Sequence, residues 1–353
     1  MYRILTVNPG ATSTKIGVFE DDKKVLGHTF EYSEADLAGF ETVHDQIPLR
    51  WKDIKEYLDE NGVTSIDAAV GRGGLVGPVQ PGAIEVNQAL LDRLQYRPVL
   101  VHASNIGAAL SKQAADELGT KDCKVLIYDP VTVDEMDDVC RVTGLKEIQR
   151  KSIGHHLNMR KVAIDLANKL GKDYNEASVI VLHMGGGSSA SLHQDGRIVD
   201  FISDDEIQFS VERSGGLPLK DVIKRAQKVG LDVLGKEIRG GGGLVSHFGT
   251  RDARDVEELV ASSDEYAKLV SEAMALQIAK AMATLAVSAK GRVDGFALTG
   301  GIAYWKGLCE MVRERIEFIA PFHPYPGEFE LEALAEGGLR VLRGMEQAHV
   351  FTE

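Results

Sequence analysis

Short apolar runs that break at small-residue turns set the grammar of this chain. Ile4-Leu5-Thr6-Val7 gives way to Asn8-Pro9-Gly10-Ala11-Thr12-Ser13-Thr14-Lys15, and apolar residues resume at Ile16-Gly17-Val18-Phe19. Asp21-Asp22-Lys23-Lys24 then turns into a third run over 25–30. About half a chain later the same order returns: a run over 179–182, the turn His183-Met184-Gly185-Gly186-Gly187-Ser188-Ser189, a run over 190–192, the turn Gln194-Asp195-Gly196, and a run over 198–201. Runs of this length bounded by Gly, Asp and Ser read as strands. Their recurrence at so long a distance is no solenoid period and predicts two related domains. A third segment, Phe296-Ala297-Leu298 with Thr299-Gly300-Gly301, differs because a helix is expected to follow over 304–315.

Helical spacing fills the intervals. Helices are predicted over 106–118 and 158–170, with Gly119 and Gly171 as C-caps. The longest is predicted over 264–290, capped by Ser263 and stopped at Gly291, burying Leu269, Ala273, Leu276, Ala279, Ala283 and Ala286. A last helix over 331–345 carries Leu334, Leu339 and Leu342 and is expected to pack back on the first domain. Strands alternating with helices make this an α/β protein.

Composition narrows the function classes. At 353 residues the chain exceeds the roughly 250–300 at which single cores stop growing. Hydrophobic residues make up 44% and charged residues 26%, which is globular composition. No run of about 18 apolar residues occurs, so no membrane span is expected, and the chain enters its first strand without a signal-peptide pattern. Cys123, Cys140 and Cys309 are scattered, which argues against a disulfide framework or zinc site and fits a reducing cytoplasm. A net charge of −13 opposes nucleic-acid binding. In such a chain, an arginine set among glycines stands out as an anion contact.

The turns carry the candidate chemistry. The stretch VNPGATSTK lacks the glycine before lysine and the following helix that a Walker-A loop needs. A tight hairpin still binds phosphate by turning successive N–H groups and hydroxyls into one concavity, and Thr12, Ser13 and Lys15 supply donors. On its own, such a stretch is more often just a turn. Three consecutive glycines, Gly185, Gly186 and Gly187, suit close approach of backbone to a ligand, with His183 at the strand's C-terminal end. Arg72 lies in Gly71-Arg72-Gly73-Gly74, flanked by residues too small to shield it, while Arg239 is expected in a mobile loop. Asp129 ends the run over 125–128 and reads either as a turn residue or as a metal ligand.

Taken in order, ILTVNPGATSTKIGVF, VGRGGLVGPVQPGAIEVN, VHASNIGA, YDPVTVDEM, HMGGGSS, ERSGGLP, GGGGLVSHFGTRDARDVE and LTGGIAYW span essentially the whole chain. The set resembles the butyrate kinases, short-chain fatty-acid kinases related to acetate kinase within the acetate and sugar kinase/Hsp70/actin superfamily. The resemblance implies two related domains of the actin-like ATPase (ribonuclease H-like) type, each a mixed five-stranded sheet flanked by helices, with an interdomain cleft. Residues 1–154 plus 326–353 would form the acceptor-side domain and 155–325 the nucleotide-binding domain. It further implies reversible, in-line phosphorylation of a short-chain carboxylate by ATP, with ATP/ADP and Mg²⁺ as cofactors and a homodimer or higher homo-oligomer as the assembly.

Site residues carry over one at a time. Asn8 stands where sugar kinases and Hsp70-like ATPases have Asp, which fits an acceptor already ionised at neutral pH (pKa near that of Glu, about 4.3) and needing no general base. Ser13 and Lys15 match the first phosphate hairpin; Ala11 replaces a serine of acetate kinases and is given no side-chain role. Arg72 matches the arginine that holds the substrate carboxylate, and His102, Asp129, His183 and Arg213 match the remaining active-site positions. Gly185, Gly186, Gly187 and Ser188 are expected at the nucleotide phosphates, and Thr299, Gly300 and Gly301 at the adenosine. Mg²⁺ is expected on Asp129 and a C-terminal glutamate, for which Glu328, Glu330 and Glu332 compete. Gly74, where acetate kinases carry a branched residue, implies room for a longer acyl chain. The competing readings are an acetate or propionate kinase, a nucleotide-gated binding protein of the same fold, and a sugar kinase. A sugar kinase would need a base such as Asp204 or Asp205, which read more simply as a solvated loop.

Overall fold

The computed structural model describes residues 1–352 and divides the chain into two compact units, one formed by residues 1–134 with the stretch from Phe329 onward, the other by 135–328. The first boundary falls earlier than the sequence suggests. Residues 135–154 join the second unit because Glu135 pairs with Arg160, the Asp137 N–H donates to Val199 O at 2.9 Å, and Arg150 pairs with Asp200 at 2.9 Å.

In the first unit, β1 (Arg3–Pro9), β2 (Ser13–Glu20) and β3 (Lys23–Glu31) form an antiparallel meander. β4 (Ile66–Arg72) lies parallel to β1, and β6 (Gly119–Tyr128) parallel to β4. β5 (Ala83–Glu85) and β12 (His349–Val350) extend the sheet to seven strands, in the order β12-β5-β6-β4-β1-β2-β3, rather than the five the resemblance implied. The second unit has five: β7 (Val179–Met184), β8 (Ser188–Gln194), β9 (Arg197–Ile202), β10 (Gly295–Gly300) and β11 (Phe322–Pro326), ordered β11-β10-β7-β8-β9. The repeat read from the sequence is therefore structural. Both meanders shift register at matching places, between Val18 and Phe19 and between Leu192 and His193. Both turn at an aspartate in the left-handed region, Asp21 at φ 54° and Asp195 at φ 51°.

Alternation along β1 sends Leu5 and Val7 into a core with Ile54 and Leu110, from helices Ile47–Glu60 and Gly107–Leu118. The C-terminal helix, Glu330–Leu342, lies on the opposite face. It approaches closely because Gly337 and Gly338 stand over Tyr128 and Val70; a Cβ on either would sit 2.3 Å from the Tyr128 ring or 2.7 Å from a Val70 methyl. Arg340 stacks over the same tyrosine at 5.3 Å and donates to its hydroxyl at 2.6 Å. That contact fixes the start of the helix over the ends of β1 and β4.

Gly119 is the C-cap of helix Gly107–Leu118, as expected, its N–H donating to Ala115 O, and from an extended backbone (φ −66°, ψ 136°) it also opens β6. Two sequence expectations change. The N-cap of the longest helix, Glu265–Ser288, is Asp264, whose carboxylate accepts from the Ala267 N–H at 2.7 Å. Its buried stripe is also differently phased: Val270, Met274, Ile278, Met282 and Leu285 face the core, whereas Leu269 is 61% and Leu276 40% exposed. The helix is apolar nearly all round, so spacing alone leaves the phase open. By length and composition it could cross a membrane, but its core-facing side is packed inside the second unit.

Candidate active site

Parallel pairing builds the first cluster. Val7 stands beside Gly71 and Gly71 beside Ile127, so the next residues, Asn8, Arg72 and Tyr128, form a row at the C-terminal ends of three adjacent strands. Asp129 lies one step beyond the row. The first residue of the C-terminal helix, Glu330, turns into it: the Asn8 amide Nδ2 donates to Glu330 Oε2, and Arg72 Nη1 lies 3.3 Å from Glu330 Oε1 and 3.3 Å from Asn8 Oδ1. Asn8 and Glu330 are buried. All of these bonds use Nη1 of Arg72, so its Nε–Nη2 edge, the side that grips a carboxylate in two places, is engaged by none of the described residues.

Of the three glutamates weighed for the metal, Glu330 is the one that joins this row, where it holds Asn8 and Arg72. Glu332 pairs with Lys24 at 3.4 Å on the surface, and Glu328 belongs to the second unit, directly after the Gly300–Gly327 bridge. Asp129 is buried and held at φ 37°, in the left-handed region that aspartate enters more readily than most residues. Its Oδ1 accepts from the Gly82 N–H at 2.8 Å. Among the described residues no group of three or more His, Cys, Asp or Glu side chains converges to hold a metal ion.

Lys15 sits opposite Asn8 in the β1–β2 register, and Ser13 begins β2 at the hairpin's mouth. His102 is exposed and caps a short turn over Ala103–Ile106, its Nδ1 accepting from the Ser104 N–H at 3.1 Å. Asn105 in that turn ties it to the Arg72 loop, with Oδ1 accepting from the Leu75 N–H at 2.9 Å. The same side chain overturns the expectation for Gly74. A Cβ there would meet Asn105 Oδ1 at 2.5 Å and Leu94 Cδ2 at 2.6 Å, so Gly74 makes room for the protein's own packing and opens no acyl pocket.

The second cluster surrounds the glycine turn after β7. His183 is buried; Asn158 Nδ2 donates to its Nδ1 at 2.9 Å, which leaves the ring proton on Nε2, toward Gly185. The His155 ring stacks on His183 with centroids 4.1 Å apart and is oriented by Ser189 Oγ at 2.8 Å from its Nδ1. Glycines 185–187 leave these groups uncovered. A Cβ on Gly187 would lie 3.7 Å from His155 and 4.0 Å from Asp204, and one on Gly186 would lie 3.2 Å from Glu212. Arg213 Nε donates to Asp204 at 3.2 Å, and its Nη1 donates to Arg239 O. Asp204 thus orients Arg213 and is no free loop residue, and the Arg239 carbonyl fixes the same guanidinium.

Ser188 is buried, with its Oγ accepting from Gln208 Nε2 at 2.8 Å, so its hydroxyl faces the core and not the turn. Thr299 is likewise internal, linking Asn158 (3.3 Å) to Gly327 O (3.2 Å), while Gly300 is held at φ 92° and Gly301 is open to solvent. A cavity of about 980 Å³ in this unit is walled by Phe209, Val222, Leu234 and Ile238 and by none of the candidate residues, so volume alone does not mark the site. Sequence reasoning missed His155, although a histidine pair at 155–156 opening a helix was a visible signal.

A model described as the acetokinase family matches residues 146–319. Butyrate kinase 1 of Clostridium acetobutylicum is 42% identical to this chain over 354 residues, with 99% of both chains covered. Probable butyrate kinase 2 of Caldanaerobacter subterraneus is 42% identical over 356 residues, spanning 99% of this chain and all of that relative (100%). Among solved structures, the acetate kinase of Porphyromonas gingivalis superposes with a TM-score of 0.79 at 17% identity, covering 97% of this chain and 100% of its own, a likeness of fold.

Proposed function

Since the chain belongs to the acetokinase family and has that family's actin-like fold, we propose that it phosphorylates a short-chain carboxylate, butyrate or a branched relative, with ATP. The observation that carries this reading is the unengaged Nε–Nη2 edge of Arg72 beside an uncharged Asn8. A carboxylate acceptor arrives ionised, so the site needs a cation to receive it and no base to deprotonate it. In the reaction a carboxylate oxygen bonds to the γ-phosphorus as the bond to the β-phosphate oxygen breaks, giving acyl phosphate and ADP.

Arg72 holds the acceptor while Glu330 and Asn8 hold Arg72. His183, through Nε2–H, and Arg213 donate to phosphoryl oxygens at the glycine turn, with His155 and Asp204 orienting them. Stabilising charge on the transferring group is most of what such catalysis requires. Mg²⁺ takes one or two carboxylates, substrate phosphates and several waters, so the lack of a three-residue cage is compatible with it. Asp129 is the residue we assign to it, because Glu330 already serves Asn8 and Arg72. Bound there, the ion would neutralise phosphate charge.

The first test is hydroxylamine trapping of acyl phosphate with Mg-ATP and acetate, propionate, butyrate, isobutyrate, valerate and benzoate. Hydroxamate strongest with butyrate or branched acids is the expected result. A maximum at acetate would keep the chemistry and overturn the chain-length reading, and no hydroxamate with bound ATP would favour a nucleotide-gated binding protein.

Two further readings rest on smaller observations. Leu269, Leu276 and Val287 leave an apolar stripe exposed along the longest helix, which suits a second copy of the chain; a monomer in light scattering at high concentration would exclude this. The three cysteines are free and burial pushes each thiol up to about 11, which suits the reducing cytoplasm and is checked by cell fractionation.

A further inference from the structure

Arg50 is the largest fully buried side chain in the protein, and it lies directly behind the VNPGATSTK hairpin. It projects from helix Ile47–Glu60 with no exposed surface. Nη1 donates to Gly10 O (3.0 Å), Ser13 O (2.7 Å) and Thr14 Oγ1 (2.9 Å); Nη2 donates to Ala11 O (3.1 Å). Gln46 Oε1 accepts from both Nε (3.1 Å) and Nη2 (2.8 Å), and the ring of Tyr32 lies under the guanidinium at 4.7 Å. No carboxylate pairs with it among the described residues, although an unpaired buried cation is ordinarily expensive.

The consequence for the hairpin follows from peptide geometry. In a trans peptide the C=O of one residue and the N–H of the next point in opposite directions. Arg50 draws the carbonyls of Gly10, Ala11 and Ser13 inward, and the Tyr32 N–H takes that of Thr12 at 2.8 Å. The N–H groups of Ala11 and Thr12, which follow the Gly10 and Ala11 carbonyls, therefore turn outward, away from Arg50. Ala11 and Thr12 are exposed, and neither N–H has an acceptor among the described residues. Successive outward amides form an anion-binding nest, and here a full positive charge stands immediately behind it.

We propose that Arg50 is the positioning residue of the nucleotide-phosphate hairpin: it fixes the turn's amides outward and supplies the positive potential that draws the terminal phosphates of ATP onto them. This deepens the kinase reading and rests on it, taking the hairpin as the nucleotide-phosphate contact that the family resemblance implies. A guanidinium is needed because only its planar fork reaches four acceptors of the turn at once. With Arg50 behind the turn, a charged contact at Ala11 needs no side chain, which accounts for the alanine at that position.

The test measures binding of ATP, ADP and AMP by calorimetry to wild type, Arg50→Met, Arg50→Lys and Gln46→Ala, alongside carboxylate kinase kinetics. Arg50→Met should weaken ATP by about 10–100-fold, the weight of charge-assisted hydrogen bonds, and AMP far less. Arg50→Lys should recover part of the ATP affinity through its charge. Gln46→Ala, which leaves the hairpin untouched, should weaken ATP in the same graded order. Added guanidinium ion should restore ATP affinity to a smaller variant, Arg50→Ala, and not to wild type. A folded Arg50→Met or Gln46→Ala protein that binds ATP as wild type does, or that loses ATP, ADP and AMP affinity equally, overturns the proposal. If Arg50→Met fails to fold, Gln46→Ala and Arg50→Lys decide it on the same ATP-to-AMP ratio. Because nucleotide binding is read without acyl transfer, a wild type that binds ATP but phosphorylates no carboxylate would defeat the kinase reading and leave this one standing.

Discussion

Replacing Arg72 with alanine is expected to lower turnover by about 10³–10⁵-fold, the range for arginines that steady charge in phosphoryl transfer, with the far-ultraviolet dichroism unchanged. The size follows from what the residue does at once. Its free edge receives the acceptor carboxylate, and its Nη1 faces Glu330 and Asn8. Alanine also leaves Glu330 a buried carboxylate without its cation, so some stability is lost with the activity. Arg72→Lys separates the two effects. Lysine keeps a charge near Glu330 but cannot present two parallel N–H groups, so stability should largely return while turnover stays low. Steady-state kinetics and thermal denaturation of both variants check this. Activity near wild type in a folded Arg72→Ala protein would remove Arg72 from the mechanism.

What the sequence made legible, and what it left hidden, divides along a physical line. Asn8, Arg72 and His183 could be named as candidates because each lies at the end of an apolar run that gives way to a glycine turn, and where a strand ends is a local property. The doubled meander was readable for the same reason, since its turns carry their own chemistry down to Asp21 and Asp195. Glu330 was not separable from Glu328 and Glu332, because the choice depends on how the C-terminal helix, pulled down by Gly337 and Gly338, meets β1 more than 300 residues away. Arg50 sits in an ordinary amphipathic stretch, and nothing near it in sequence announces four acceptors 36 to 40 residues earlier. The phase of Glu265–Ser288 was hidden by excess: where every position is apolar, periodicity no longer says which face is buried. Gly74 failed in the opposite way, for a small residue marks a close approach without saying whether ligand or protein fills the space.

Asn8→Asp would test the acceptor logic from the other side, and its effect should be large in both activity and stability. Asn8 now donates to Glu330 through Nδ2, and both side chains are buried. An aspartate cannot donate when ionised, and two carboxylates held this close repel each other, so the pair should share a proton in the folded state, even with Arg72 beside it. Its folded pKa is then raised above the unfolded values of about 3.9 and 4.3. The sign follows by linkage. The folded state binds the extra proton, so the variant is closest to wild type below about pH 4 and falls behind as pH rises through the pair's folded pKa, with the full deficit at neutral pH. An uncompensated buried charge of this kind is worth about 3–5 kcal/mol. Where the pair does ionise, a second negative charge competes for Arg72 and repels the incoming acid. Like-charge juxtaposition of several kcal/mol corresponds to a loss of about 10²–10³-fold in kcat/KM for the carboxylate. The KM for ATP should move much less, because Asn8 faces the acceptor arginine. Thermal denaturation of wild type and variant from pH 4.5 to 8, with kinetics at the upper end, reads both effects. A stability difference that stays flat across that range, or a variant with unaltered carboxylate kinetics, would show that Asn8 is neither coupled to Glu330 nor part of the acceptor site.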